Sequence, residues 1–545
     1  MQKLTPKLFS CMKTYTREQA VKDIISGIIV AIIALPLSIA LALASGVGPE
    51  QGLYTAIIAG FVISFLGGSN VQIAGPTAAF ATTVAGIIAV NGMDGLIMAT
   101  IVAGILLILM GLFKFGSLIK FIPYTITTGF TSGIALTIII GQIKDFLGLT
   151  FTHSPIETTE KAAEIVKCIS TINYSALAVG ALALAILIIM PKFVKKIPPS
   201  LVAIVVCAAV VKIFDLNVNT IGDLYTISSA LPALSVPVFS VDTLIKVLPD
   251  AFTIAILAAI ESLLSCVVAD GMTGTRHNSN MELIAQGAGN VCSVLFGGIP
   301  ATGAIARTAA NIKNGGTTPI AGMVHAVVLL IVLVVLMPYA SLIPMPAIAA
   351  ILFIVAYNMS EWREFVGLVK SSPKSDIFVL ILTFALTILF DLVVAIGVGF
   401  VITTILFMKR MADVTEVSGW EYIDDQADPE NIRLKEVPSN TYVYEITGPL
   451  FFGAAEKISS IVRGAKNCVV ILRMRSVPAI DATGLHSLEA IVKACKKKNI
   501  TLILSHVNEQ PMNTLQKSGM FKEIGEENFC ENIDMALARA KELNK

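Results

Sequence analysis

Apolar residues dominate the first three quarters of the chain and come in long runs, separated by Gly, Pro, Asn or charge. Fourteen runs are readable, at 22–44, 52–66, 76–90, 95–113, 121–141, 173–190, 199–214, 249–268, 282–297, 302–312, 319–337, 339–357, 376–390 and 392–408. A hydrocarbon layer about 30 Å thick takes about 20 helical residues to cross, so the pattern predicts a polytopic α-helical membrane domain over 22–408. Two runs, 76–90 and 302–312, are too short to cross alone. They are the third and the tenth, each third in a group of seven. Seven is odd, so the second group enters the membrane with opposite polarity, giving a seven-plus-seven inverted repeat. Paired short segments interrupted by Gly and Pro are a pointer to a transport site at the bilayer midplane.

After residue 440 the pattern changes to alternating strands and helices. TYVYEITGPLFF and NCVVILRM read as strands around a helix, AAEKISSIVRG, followed by a helix from Ala482, the strand NITLILSHV, and helices near Gln510–Lys517 and Ile533–Leu543. This predicts a small α/β domain over 441–545, joined to the membrane domain by a polar linker, 409–440, with a short N-terminal segment, 1–21, at the other end.

Charge sharpens both readings. Of 39 basic and 38 acidic side chains, 37 lie in the last 137 residues, while the whole chain is 55% hydrophobic with a mean hydropathy of +0.80. A wholly soluble protein is excluded, and a net charge of +1 excludes a strongly basic nucleic-acid binder. Lys and Arg set the orientation. With both termini in the cytoplasm, seventeen basic residues flank the spans on the inner side, Lys409 and Arg410 among them, against five outside, Lys144, Lys161, Lys167, Lys212 and Lys246. The first apolar run is too long for the core of a cleavable leader. The eight cysteines are scattered without a CxxC or Cys/His cluster, so neither a metal site nor a disulfide framework is expected.

The short segments carry the chemistry. In VQIAGPTAAFATTV, residues 71–84, a β-prone start meets Gly75-Pro76 and then small helical residues from Thr77. In GGIPATGAIARTAANI, residues 297–312, Pro300 and Thr302 stand in analogous places. Two half-helices would bring their N-termini together at mid-membrane, offering free N–H groups and positive dipole ends to an anion. The alternative is a pair of glycine-rich packing helices. Two ionisable residues fall inside the scaffold, and intramembrane charges usually mark an ion or substrate path. Arg307 would add a cation to the dipole ends, or else snorkel to the inner face near Lys313. Glu261 would accept a proton during transport, bind Na⁺ with the i+4 Ser265, or pair with Arg307. In the soluble domain Asp481 and Thr483 sit at a strand-to-helix turn as candidate caps, and Thr483 is a candidate phosphorylation site. No nucleophile–base constellation appears, so no enzyme activity is expected.

The runs LPLSIALALASGVGPEQGLYTA, GGSNVQIAGPTAAFA and GGIPATGAIARTAANIKNGGTTP resemble the sulfate permease family of anion transporters, and IDATGLHSLEAI resembles its STAS domain. The resemblance implies an elevator-type secondary transporter of the bacterial inner membrane whose anion site lies between the third and tenth half-helices. It assigns that site to Thr77, Ala78, Ala301, Thr302, Gly303 and Arg307, with Leu37 and Leu41 facing it from the first span. An aliphatic lining argues against chloride- or oxalate-type specificity. Glu261 matches a carboxylate linked to proton coupling, whereas sodium-coupled bicarbonate members favour Asp there. Sulfate is the first expectation for the substrate, followed by four-carbon dicarboxylates with H⁺ or bicarbonate with Na⁺. Nucleobase permeases share the fold, and a membrane-tethered STAS signalling protein is a further reading. No cofactor is expected. The expected partners are the anion, membrane lipid, a second copy in a homodimer and a cytoplasmic protein at the STAS domain.

Overall fold

The computed structural model describes residues 4–117, 123–153, 155, 157–193, 198–225, 227–235, 240–390, 392–414, 416–419, 437–451 and 466–544. The chain forms two compact units, Met1–Phe400 and Val401–Lys545.

The first unit is helical. A short α1 (Lys7–Cys11) precedes α2 (Arg17–Ala44), α3 (Pro49–Leu66), α4 (Ala78–Leu112), α5 (Tyr124–Leu147), α6 (Thr158–Cys168), α7 (Tyr174–Phe193), α8 (Pro199–Ile213) and the one-turn α9 (Ile221–Leu224). Then come α10 (Val241–Thr273), α11 (Ser279–Leu295), α12 (Ile305–Lys313), α13 (Ile320–Leu336), α14 (Met345–Met359), α15 (Trp362–Ser371), α16 (Lys374–Leu389) and α17 (Leu392–Val414). Among the described residues nine helices are long and apolar enough to cross a membrane. Gly92, at φ 68°, breaks α4 into 78–91 and 93–112, a left-handed conformation that glycine adopts without a Cβ clash. The third and fourth apolar runs therefore form two helices meeting at a sharp joint.

Ahead of α4 and α12 lie two short extended pieces, β1 (Ala74–Gly75) and β2 (Thr302–Gly303), paired antiparallel with Ala74 opposite Gly303 and Gly75 opposite Thr302. The sequence suggests a helix starting at Thr302, but pairing with β1 holds Thr302 extended and delays the helix to Ile305. The structure also adds helices between the apolar runs, among them α6 and α15, an amphipathic helix with no buried residue.

In the second unit β3 (Glu416–Gly419), β4 (Thr441–Thr447), β5 (Val469–Ser476), β6 (Thr501–Ser505) and β7 (Phe529–Cys530) form one sheet in that order. Strands β4 to β7 run parallel and β3 is an antiparallel edge within the expected linker. The alternation of β5 explains its continuous burial. Val470, Leu472 and Met474 enter one apolar core with Leu488 and Ile491, while Val469 and Ile471 enter a second with Ile533 and Leu537. Asp481 is the cap of the helix Ala482–Lys497, accepting from the Gly484 N–H at 2.7 Å. Thr483 is exposed in its first turn, so the phosphorylation candidate stays accessible and the capping role falls to Asp481. The helix expected at AAEKISSIVRG lies outside the described residues.

Burial pushes the Cys495 thiol up to about 11; neighbouring Cys468 adds to this and Lys498 opposes it. At pH 8 almost none of it is thiolate, the nucleophilic form. Iodoacetamide is therefore expected to label Cys495 slowly in the folded chain and rapidly after denaturation, read by peptide mass spectrometry. Equal rates would contradict the buried placement.

Candidate functional site

The β1–β2 crossing is irregular backbone in the interior of the helical unit, and buried N–H and C=O groups must find partners there. The surrounding helices supply them from side chains. Thr308 accepts from the Ile73 N–H at 3.1 Å, and Asn311 donates to the Val71 carbonyl at 2.8 Å. Asn290 both accepts from the Ala301 N–H and donates to the Ala301 carbonyl, each at 2.8 Å. Thr55 accepts from the Ile299 N–H at 2.7 Å. These residues fix the two strands and thereby the starting points of α4 and α12.

Neither helix start is capped by its N-cap side chain. Thr77 precedes α4, but its hydroxyl turns away from the helix end and donates to Glu261 Oε2 at 2.9 Å. Ala304 precedes α12 and has nothing to cap with. The leading N–H groups of both helices are left with a positive dipole end and no side-chain acceptor.

Arg307 projects from the first turn of α12 across to the start of α4. Its Nη2 donates to the Pro76 carbonyl at 3.0 Å and to Ser38 Oγ at 3.4 Å, while Nη1 has no partner. The residue is 3% exposed and makes no ion pair among the described residues. Its position requires Gly75, since a Cβ there would collide with Nη1; a Cβ at Gly303 would likewise collide with Gln72. Each glycine of the strand pair thus accommodates a long side chain from the opposite segment. Arg307 does not snorkel away from the crossing, and Glu261 does not pair with it.

The remaining expected residues divide into two groups. Thr77, Leu37 and Glu261 keep some exposed surface, whereas Ala78 and Leu41 are buried. Ser265 Oγ is hydrogen-bonded to Thr308 Oγ1 at 3.3 Å, and Thr302 Oγ1 donates to the Ala258 carbonyl at 3.2 Å. Both hydroxyls, together with Ala301, belong to the framework of the crossing. Gly303 serves through its backbone and its missing Cβ. Three polar residues at this place were not singled out by their sequence: Ser38, between Leu37 and Leu41, Gln72, and His325 on α13. Ser38 and His325 are uncharged polar positions inside apolar runs, and Gln72 stands among the apolar residues before Gly75-Pro76. Among the described residues no His/Cys/Asp/Glu group is arranged to hold a metal.

The model of the "Sulfate permease family" matches residues 21–383, and that of the "STAS domain" matches 431–536. The chain belongs to the sulfate permease family. It is 41% identical over 96% of its length to the "Putative sulfate transporter YvdB" of Bacillus subtilis (strain 168), covering 98% of that protein. It is 32% identical to the "Bicarbonate transporter BicA" of Synechocystis sp. over 95% of this chain and 94% of that one. Among solved structures, the transmembrane domain of a cyanobacterium BicA aligns over 71% of this chain and 98% of its own, with TM-score 0.62 and 32% identity. Murine Slc26a9 in the inward-facing state aligns over 99% of this chain and 94% of its own, with TM-score 0.89 and 18% identity, a likeness of fold. This family member is a polytopic helical membrane transporter of anions with a C-terminal STAS domain, and not an enzyme.

Proposed function

We propose that the protein is a secondary active transporter of small anions, with sulfate as its first substrate, and that the anion binds between the N-termini of α4 and α12. The observation that carries this reading is the Arg307 guanidinium, buried without a counter-charge beside two uncapped helix starts. An isolated charge in a low-dielectric interior is costly, and a bound anion is what would offset it. Thr77 and the leading amides, Ala78 among them, line the approach from α4, Leu37 and Leu41 from α2, and Ala301, Thr302 and Gly303 hold the opposite strand.

In this reading the fourteen apolar runs form a seven-plus-seven inverted repeat in the bacterial cytoplasmic membrane, with both termini inside and an elevator motion of the site. The domain limits are 22–408 for the transporter, 409–440 for the linker and 441–545 for the STAS domain. Glu261 is the proton-coupling carboxylate. Its carboxylate accepts from the Thr77 hydroxyl, which links its protonation to the residue before α4. Ser265 supports it from one turn away, and Na⁺ is the competing coupling ion. Two copies form a homodimer, and Thr483 with the STAS surface serves regulation by a cytoplasmic partner. The relative named for bicarbonate gives that anion second place.

The test is uptake of radiolabelled sulfate, bicarbonate, succinate and uracil into proteoliposomes, with and without an inward proton gradient. Sulfate uptake accelerated by the gradient is expected. Uptake of bicarbonate or succinate alone reassigns the substrate, uracil uptake moves the protein to the nucleobase class, and uptake of none favours the signalling reading.

A further inference from the structure

Behind Arg307 the helix α3 presents Ala56, Gly60 and Ser64 at intervals of four residues, one row along one face. The Cβ position at Gly75 lies 3.6 Å from the Ala56 Cα as well as against Arg307 Nη1, so the guanidinium rests beside Ala56. One turn further, a Cβ at Gly60 would stand 3.3 Å from the Ala74 carbonyl oxygen and 3.9 Å from His325 Nδ1. The absent side chain leaves a space flanked by those two groups. His325 is wholly buried, and neither of its ring nitrogens has a hydrogen-bond partner among the described residues. Arg307 is near enough for its charge to act on the ring.

Four buried polar atoms along this row are therefore unpartnered: Arg307 Nη1, both His325 nitrogens, and Ser64 Oγ at the next turn. A neutral imidazole offers one donor and one acceptor, and leaving both unused is expensive. Arg307 Nη1 and His325 thus face neighbouring turns of α3, about 5.4 Å apart along its axis. Buried waters typically make about three bonds to otherwise unsatisfied groups; the space over Gly60 is flanked by an imidazole nitrogen and the Ala74 carbonyl, and the Arg307 guanidinium lies against the neighbouring turn of α3.

We infer that a buried water over Gly60 links His325 to Arg307 Nη1, making His325 a positioning residue that holds the guanidinium toward the start of α4. This rests on Arg307 being the group that binds the anion. The neutral ring can accept from the guanidinium through the water without adding a second positive charge, a role that a lysine or arginine at 325 could not fill. Gly60 leaves room for the water, as Gly75 leaves room for the guanidinium.

Two experiments on the full chain test it. A high-resolution experimental structure of the wild type is expected to show water density between Arg307 and His325 that is missing from Gly60→Ala. In proteoliposomes His325→Leu and Gly60→Ala are expected to raise the KM for sulfate about tenfold, the equivalent of one hydrogen bond to a charged group, with kcat retained. His325→Gln, which keeps a donor and an acceptor, stays within about twofold of wild type. A ring that merely fills space predicts a loss of folded protein, and hence of maximal rate, at an unchanged KM. No density in the wild type, or an unchanged KM in both His325→Leu and Gly60→Ala, overturns the proposal. If His325→Leu does not fold, the Gly60→Ala and His325→Gln pair decides it. A wild type that transports neither sulfate nor bicarbonate defeats the proposed function, and the density comparison then decides the water separately.

Discussion

Arg307→Ala is expected to abolish saturable sulfate uptake while leaving the protein folded and at least as heat-stable without substrate. The two halves of this result have one cause. The guanidinium is buried, its Nη2 bonds reach a carbonyl and a hydroxyl, and no acid among the described residues pairs with it. In the empty protein this uncompensated charge opposes folding, so its removal relieves a cost. In the loaded protein it supplies charge-assisted hydrogen bonds to the anion, each worth about 1.5–3 kcal/mol. Losing two of them weakens binding by at least about 100-fold. Arg307→Lys keeps the charge but not the planar fork and should fall between the two. The measurements are initial uptake rates over a sulfate series and melting curves with and without sulfate. Wild type should gain stability with sulfate, by linkage, and Arg307→Ala should not. A variant that melts far below wild type and still binds sulfate would reverse both assignments.

Glu261→Gln is expected to eliminate gradient-driven accumulation while preserving sulfate-for-sulfate exchange. Glutamine imitates the protonated carboxyl in shape and charge, and its carbonyl oxygen can still accept from the Thr77 hydroxyl that now donates to Glu261 at 2.9 Å. The site keeps its geometry but has no proton to carry. An inward gradient of one pH unit is worth about 1.4 kcal/mol per proton, about tenfold accumulation for one-to-one symport. Wild type should reach that ratio, and Glu261→Gln should equilibrate near a ratio of about one. Glu261→Ala, which also removes the acceptor from Thr77, should impair exchange as well. Undiminished accumulation in Glu261→Gln would remove Glu261 from the coupling step.

The helices and the α/β domain were legible because their signals are local. Long apolar runs mark α2, α5 and α10, and a short continuous apolar run followed by Asp481 marks β5 and the helix after it. The strand pair was not legible. Pro300-Ala301-Thr302 reads locally as a helix start, and only pairing with Ala74–Gly75, far away in sequence, makes it extended. That pairing explains why α12 begins at Ile305 and why Thr302 spends its hydroxyl on α10. Thr77, Glu261 and Arg307 stood out as a half-helix start and two charges within a membrane domain. Ser38, Gln72 and His325 did not, because an uncharged polar side chain in an apolar run gives no hint of what it meets. Their partners lie on other helices, and tertiary packing alone brings them beside Arg307 or its supporting strands.

One small anion is expected to sit between the starts of α4 and α12, on Arg307. An experimental structure of the full chain in sulfate, compared with one of Arg307→Ala under the same conditions, tests this most directly. Tetrahedral density is expected within hydrogen-bond distance of the leading amides of α4 and of the Arg307 guanidinium, absent from the variant. Equal density in the variant, or sulfate bound only elsewhere, would contradict it.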